Sequence, residues 1–201
     1  AVAGAKGVSS LVPFMGEFFN DLVPEIYRSS KQKSMIDFLN GICSQFEKDN
    51  LKSEDFANMK KELSDPSNYE YMSTILDSVF FSKSARCRAI LGIICSKYMS
   101  KKDIPYEDLI IIEALKDLLD IELDIIPQIY SVATTKAKDI NGKGSFYIYY
   151  DPKDVVVNTT FSKMKKLNLI GSHAEAITSK SPNGWHGNIT SVTEKLVDYI
   201  E

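Results

Sequence analysis

Cysteine is scarce in this sequence, and its spacing argues against its two common structural roles. The 201 residues contain three cysteines, and no two of them form a Cys-x-x-Cys pair. An odd count without that spacing fits neither a disulfide framework nor a zinc site. Cys87 and Cys95 are therefore expected to be buried apolar groups, in a protein of the reducing cytoplasm.

Long apolar segments are also missing. No run of the sequence approaches the roughly 18 apolar residues that a membrane-spanning helix needs, so no spanning segment is expected. The first 19 residues are apolar but lack the basic start of a signal peptide, and no leader is expected either. The 44% hydrophobic content is still sufficient for one large or two small folded cores.

No recognisable catalytic motif is present. The glycine-containing segment 141–145 lacks the spacing of a phosphate-binding loop. The two histidines, His173 and His186, have no companion ligands at metal-site spacing, so neither a metal nor a cofactor is expected. The sequence indicates a non-catalytic protein, and an enzyme without a known motif is the least favoured alternative.

Helical periodicity dominates the first two thirds of the chain. Met35, Leu39, Ile42 and Phe46 recur at steps of three and four residues, which predicts an amphipathic helix from Pro24 to about residue 48. Further helices are predicted over residues 53–63, 71–81 and 85–99. A last one begins at residues 103–105, and a proline at position 127 should kink or break it.

The arginines of this helical body are few. Arg86 and Arg88 are expected to lie on a helix surface and to pair with carboxylates, because such pairs are common. The alternative is a ligand or phosphate site formed by the two guanidinium groups.

The composition changes after about residue 135. Residues 136–145 are polar and contain glycine, which predicts a linker, and the aromatic segment 146–150 predicts a strand. Residues 131–201 carry nine lysines against seven acidic residues, a net charge of +2, whereas residues 1–130 carry −5. A mildly basic C-terminal domain is therefore expected to follow an acidic body.

The sequence of the C-terminal third predicts a helix, a strand, a hairpin turn and a final helix, in that order. Phe161, Met164 and Leu167 alternate with lysines, which predicts an amphipathic helix with one basic side that ends near residue 168. A strand should follow. Asn183-Gly184 is a hairpin-turn signal, and Ser191 with Glu194 forms a capping box that opens a final helix over residues 192–200.

This order resembles the winged-helix domains of bacterial regulators. The resemblance lies in the helix-to-strand junction "MKKLNLIGS" and in the return strand and closing helix "NITSVTEKLVDYI". It implies a winged-helix-like α+β domain over residues 136–201. With the helical periodicity of the preceding segments, the prediction is a mainly α fold with a multi-helix body over residues 1–135.

The resemblance also implies two contact regions. One is the exposed part of a recognition helix, which would contact DNA through Thr159, Thr160, Ser162, Lys163 and Lys166. The other is the tip of a wing, which would contact a partner through Asn183, Trp185 and His186. The alternative for Trp185 is that its ring packs against the closing helix.

The N-terminal segment resembles uncharacterised helical proteins of bacteria, phages and mobile elements. The matching residues are Pro13, Phe14, Gly16, Asn20 and Arg28. Those proteins carry no agreed activity, so the resemblance implies a bacterial or phage origin and no chemistry.

The functional hypothesis is a non-catalytic regulatory or interaction protein whose C-terminal domain contacts a macromolecule. DNA is one expected partner, although residues 131–201 contain no arginine, the residue that most often reads guanine. Winged helices also serve as protein-binding or dimerisation modules, so a protein partner and a homodimer remain open. A protein-binding inhibitor or immunity-type factor that uses the hairpin tip is the alternative function.

Overall fold

The chain is mainly helical, with one small antiparallel sheet. The structure is a computed structural model that describes residues 25–49, 65–66, 69–98, 104–139, 145–149, 153–171 and 184–201. Within these ranges none of the helices is both long and apolar enough to cross a membrane. The chain divides into an N-terminal unit, Ala1–Ile104, and a C-terminal unit, Pro105–Glu201.

Three helices form most of the described part of the N-terminal unit. They are α1 (Glu25–Lys48), α2 (Tyr69–Phe81) and α3 (Ala85–Tyr98). All three lie where the apolar periodicity predicts helices. Helix α3, in which residues 89–95 are apolar without interruption, packs against both α1 and α2. The helix predicted over residues 53–63 lies outside the described residues.

Helices α1 and α3 approach closely at small residues and are joined by one largely buried ion pair. A Cβ atom on Gly41 would lie 1.8 Å from the Ala89 carbonyl oxygen, so only glycine allows this approach. Arg88 is buried, and its Nε and Nη2 donate to Asp37 Oδ2 at 2.9 and 2.7 Å. Its Nη1 donates to the Ser82 carbonyl at 2.9 Å. Arg88 therefore pairs with a carboxylate as predicted, but inside the helix packing and not on the surface.

The C-terminal unit contains four helices and three strands in its described part. They are α4 (Tyr106–Asp117), α5 (Asp120–Asp139), β1 (Ser145–Tyr149), α6 (Val155–Lys166), β2 (Ile170–Gly171), β3 (Gly184–Ile189) and α7 (Ser191–Ile200). The strand order is β1-β3-β2, with both pairs antiparallel. Helix α5 packs against β1, α6 and α7, and α4 packs against α7. The core of this unit lies between these elements.

The domain boundary differs from the one that the composition predicts. Helices α4 and α5 belong with the C-terminal elements, which moves the division from residue 135 to residue 104. The reason is packing: Ile111, Leu115, Leu123 and Ile126 are buried, and the helices that carry them contact α7, α6 and β1. The predicted linker also begins too early, because α5 continues to Asp139.

The helix predicted from residue 103 onward breaks at a different point from the one expected. Pro127 lies inside α5, which continues through it, although a proline in a helix interior removes one backbone hydrogen bond. The break falls at Leu118, whose backbone is extended. Helix α5 then restarts, and Glu122 Oε2 accepts the N–H of Leu119 at 2.8 Å.

The final helix is capped one residue earlier than predicted. Thr190 is the N-cap of α7, and its Oγ1 accepts the N–H of Thr193 at 3.2 Å. Ser191 is instead the first residue of the helix. Thr190 also donates to the Leu169 carbonyl at 2.8 Å, so the hydroxyl joins the start of α7 to the segment that precedes β2.

The sequence predicts a turn at Asn183-Gly184, but Gly184 lies in a strand. Gly184 is the first residue of β3 and pairs with Tyr149 of β1. Trp185 and His186 follow it in the same strand, opposite Ile148 and Tyr147. These three residues therefore form part of a strand and not the tip of a hairpin.

Candidate interaction surface on helix α6

Helix α6 has well-defined ends. Asp154 is the N-cap, and its Oδ1 accepts the N–H of Val157 at 3.1 Å. At the other end Asn168 has a φ of 58°, and the N–H of Leu169 donates to the Met164 carbonyl at 2.9 Å. This left-handed residue with its closing hydrogen bond ends the helix in the manner of a Schellman motif. The helix therefore stops where the sequence predicts.

One side of α6 is buried. Phe161 and Met164 are 2% and 0% exposed, and Thr160 beside them on the helix is fully buried. The Thr160 hydroxyl donates to the Val156 carbonyl at 2.9 Å. Thr160 is therefore wrongly assigned to the exposed part of a recognition helix, because its side chain faces the core of the C-terminal unit.

Lys163 is engaged within the same unit. Its Nζ lies 2.7 Å from both carboxylate oxygens of Glu122, whose side chain is only 5% exposed. The same nitrogen donates to the Asp117 carbonyl at 3.0 Å, at the end of α4. Lys163 thus fastens α6 to the junction of α4 and α5, and its charge is already matched before any partner arrives.

The opposite side of α6 faces solvent as a single line of residues, which we call the α6 stripe. Its members are spaced four, three and four residues apart, which places them on one helix face, and they are Val155, Thr159, Ser162 and Lys166. All four are exposed, and Val155 retains 68% of its accessible surface. The stripe therefore collects three of the five residues predicted to contact DNA.

The two ends of this surface differ in chemistry. The first turn is apolar and follows one negative charge, because Val155 and Val156 are exposed next to the N-cap residue Asp154. The last turn is basic, and Lys165 there lies 5.7 Å from the centroid of the Phe161 ring. The middle offers only small hydroxyl side chains.

The side chains of the predicted wing tip lie outside the described residues. Asn183 is outside them entirely, as is His173, and Trp185 and His186 are described only through the backbone of β3. Contacts made by these residues therefore remain predictions.

The net charge of the C-terminal unit is negative once α4 and α5 are included. Residues 105–201 contain ten lysines, no arginine and fourteen Asp and Glu residues, a net charge of −4. On α5, burial raises the pKa of the Tyr130 phenol, and the nearby carboxylates of Glu194, Asp198 and Glu201 raise it further. The net positive charge counted over residues 131–201 is therefore not a property of the C-terminal unit as a whole.

A second polar cluster joins α4 to α7 and was not predicted. Asp108 is fully buried, and its Oδ1 accepts the Tyr199 hydroxyl at 3.0 Å while its Oδ2 accepts Lys195 Nζ. The sequence shows Asp108 only as an acidic residue in the first turn of a helix, where such residues are common. No pattern in the sequence distinguishes it from the exposed Glu113 on the same helix.

The three cysteines of the chain are all buried. Burial raises the pKa of the Cys95 and Cys43 thiols, and the charge of Glu47 adds to the shift at Cys43. A raised pKa disfavours the thiolate, which is the nucleophilic form. Among the described residues no three His, Cys, Asp or Glu side chains are grouped so that they could hold a metal ion.

Comparisons with protein-family models, with curated proteins and with solved structures give no match for this chain. The surface and charge of the chain itself are therefore what indicate its function.

Proposed function

We propose that this chain is a non-catalytic interaction protein, and that its C-terminal unit contacts a macromolecule through the α6 stripe. The observation that carries the proposal is the spacing of Val155, Thr159, Ser162 and Lys166, all exposed on one face of a helix whose other face is buried. A partner on this face would bury the exposed Val155 side chain, and removal of apolar surface from water favours association.

The neighbouring interactions support a protein partner over DNA. Lys163 is paired with Glu122, so one of the three lysines of α6 is already neutralised. The unit as a whole carries −4, which disfavours approach to a phosphate backbone. An apolar first turn is in contrast well suited to a protein surface, where apolar side chains are buried on contact.

A photo-crosslinking experiment tests this proposal. Benzoylphenylalanine placed at Ser162 should crosslink to a macromolecule in the cells that make the protein, and Lys166→Glu should reduce the yield. Gln128, which is exposed on α5 of the same unit, provides the matched control position. The proposal fails if Ser162 gives no more adduct than Gln128. Sensitivity of the adduct to nuclease or to protease identifies its class.

DNA binding is the second candidate, and one observation favours it. The C-terminal unit has the strand order β1-β3-β2, with a helix directly before β2, an order that supports a winged-helix-like interpretation. We propose as a test that Lys165 and Lys166 be changed together to Ala. If the candidate is right, the double variant binds a duplex less tightly, and its affinity falls less steeply with salt. Absence of binding by the unaltered protein in low salt rejects it.

A further inference from the structure

We infer that the partner of the α6 stripe is a second copy of this chain, with the two α6 helices packed antiparallel about a twofold axis. This inference rests on the proposed function, since it names the occupant of the same surface. Its basis is that the stripe is complementary to itself in position, size and charge.

The positions match under a twofold rotation. In an antiparallel pair centred between residues 160 and 161, Val155 of one copy lies opposite Lys166 of the other, and Thr159 lies opposite Ser162. Each contact then occurs twice, as a self-complementary twofold interface requires. All four stripe residues take part, and the buried Thr160 and Phe161 do not need to move.

The sizes of the side chains also match. Thr159 and Ser162 are small, so the two helices can approach closely at their midpoint, where bulky side chains would hold the axes apart. At each end the exposed Val155 meets the methylene stem of a lysine, which can cover an apolar side chain while its ammonium group stays in water. Val156, 40% exposed, extends this apolar contact.

The charges complement each other in the same arrangement. The N-cap residue of α6, Asp154, carries an exposed carboxylate, and the last turn of the helix carries Lys165 and Lys166. An antiparallel pair brings the acidic end of each helix to the basic end of the other. A parallel pair would bring like charges together at both ends.

DNA does not fit this surface equally well. A phosphate backbone would meet Asp154 and two exposed valines at one end of the stripe, where it requires positive charge or hydrogen-bond donors. A second copy meets each of these groups with a suitable partner.

The interface is small, and its expected strength follows from its size. Helix α6 has 12 residues, about 18 Å of helix at 1.5 Å per residue. One helix pair of that length buries less than the roughly 1,200 Å² at which stable interfaces begin. We therefore expect a reversible dimer with a dissociation constant on the order of 0.1 mM, within the weak class of interfaces.

Sedimentation velocity of the full chain between about 10 µM and 1 mM tests the inference, with charge changes at the two ends of the stripe. Val155→Lys places a lysine opposite Lys166 of the other copy, and Lys166→Glu places a glutamate beside Asp154 of the other copy. Because like charges then meet twice in each dimer, each substitution should weaken dimerisation at least about tenfold. An equimolar mixture of the two variants should restore it, since the introduced lysine of one variant then faces the introduced glutamate of the other. Both positions are exposed, and circular dichroism should show unchanged helix content.

Lys48→Glu is the matched control, because Lys48 is also an exposed lysine in the last turn of a helix. It should dimerise as the unaltered chain does. The inference is overturned if the unaltered protein is monomeric at about 1 mM, about ten times the expected dissociation constant. It is also overturned if Lys166→Glu dimerises normally, or if the mixture stays monomeric. If in those cases Ser162 still crosslinks to nucleic acid or to another protein, the proposed function stands with a different partner; if it crosslinks to nothing, both fail.

Discussion

At the scale of single residues, lysines that look alike in the sequence have different roles. Lys163 and Lys166 lie three residues apart on α6, yet Lys163 contacts Glu122 and the Asp117 carbonyl whereas Lys166 is exposed on the stripe. Only Lys166 is therefore available to a partner without loss of an internal contact.

Changing each lysine to Ala separates the two roles. Lys163→Ala should lower the free energy of unfolding by about 1–3 kcal/mol, because it leaves the nearly buried Glu122 carboxylate without its cation. Lys166→Ala should change it by no more than about 0.5 kcal/mol, as is usual for exposed positions. Urea titration followed by circular dichroism measures both. Equal losses of unfolding free energy in the two variants would show that the Lys163–Glu122 contact does not stabilise the fold.

The buried Asp108 permits a second prediction at this scale. Lys195→Met removes the cation and leaves a fully buried carboxylate with only the Tyr199 hydroxyl, which should cost about 3 kcal/mol. Tyr199→Phe removes one hydrogen bond and should cost about 1 kcal/mol. The exposed Asp198→Asn is the control on the same helix. Thermal unfolding gives the order of the three, and a larger loss for Tyr199→Phe than for Lys195→Met would contradict the account.

At the scale of elements, the start of α7 depends on one hydroxyl. The Thr190 hydroxyl accepts from the Thr193 N–H and donates to the Leu169 carbonyl. It therefore caps the N-terminus of α7 and connects it to the segment before β2. The Thr193 hydroxyl donates to the same carbonyl. The neighbouring Ser191 is exposed, and its hydroxyl contacts Glu107 at 3.5 Å.

This difference predicts which residue caps the helix. Thr190→Val keeps the shape of the side chain but removes the acceptor, and it should lower the free energy of unfolding by about 1–2 kcal/mol. Ser191→Ala should have an effect of about 0.5 kcal/mol or less. Chemical unfolding of the two variants checks the prediction. A larger effect at Ser191 would support the capping box that the sequence suggests.

At the scale of the whole molecule, the chain consists of two units with different organisation. The described part of the N-terminal unit contains helices and no strand, with close packing of α1 and α3 around Gly41 and Gly92. The C-terminal unit combines four described helices with the sheet. Helices α4 and α5 provide much of its apolar core.

The position of the boundary predicts how fragments behave. A fragment of residues 105–201 should fold cooperatively, because it retains the packing of α4 and α5 against α7, α6 and β1. A fragment of residues 136–201 should not, because it leaves the core faces of its helices exposed and Lys163 without Glu122. Thermal unfolding followed by circular dichroism compares the two. Cooperative unfolding of the shorter fragment would restore the boundary at residue 135.

Local features of the sequence predicted the elements well. The apolar period located α1, α2 and α3, and the pattern around Phe161 and Met164 located α6. These predictions succeeded because the period depends on residues within one or two turns of each other. The winged-helix interpretation, the partner and the regulatory role stay predictions.

The errors share a different cause. The sequence could not show that Thr160 faces inward and that Lys163 meets a carboxylate 41 residues away. It also placed the domain boundary at a change of composition, whereas the boundary depends on which helices pack together.

The order of residues along the chain was enough to show where helices form and that one helix has a basic end, since these properties belong to neighbouring residues. It also showed that cysteine and histidine are few. Which of those basic groups stay exposed depended on the folded arrangement alone. Burial and ion pairing join residues that are distant in the chain, such as Lys163 with Glu122 and Lys195 with Asp108. The α6 stripe is what these long-range contacts leave facing solvent.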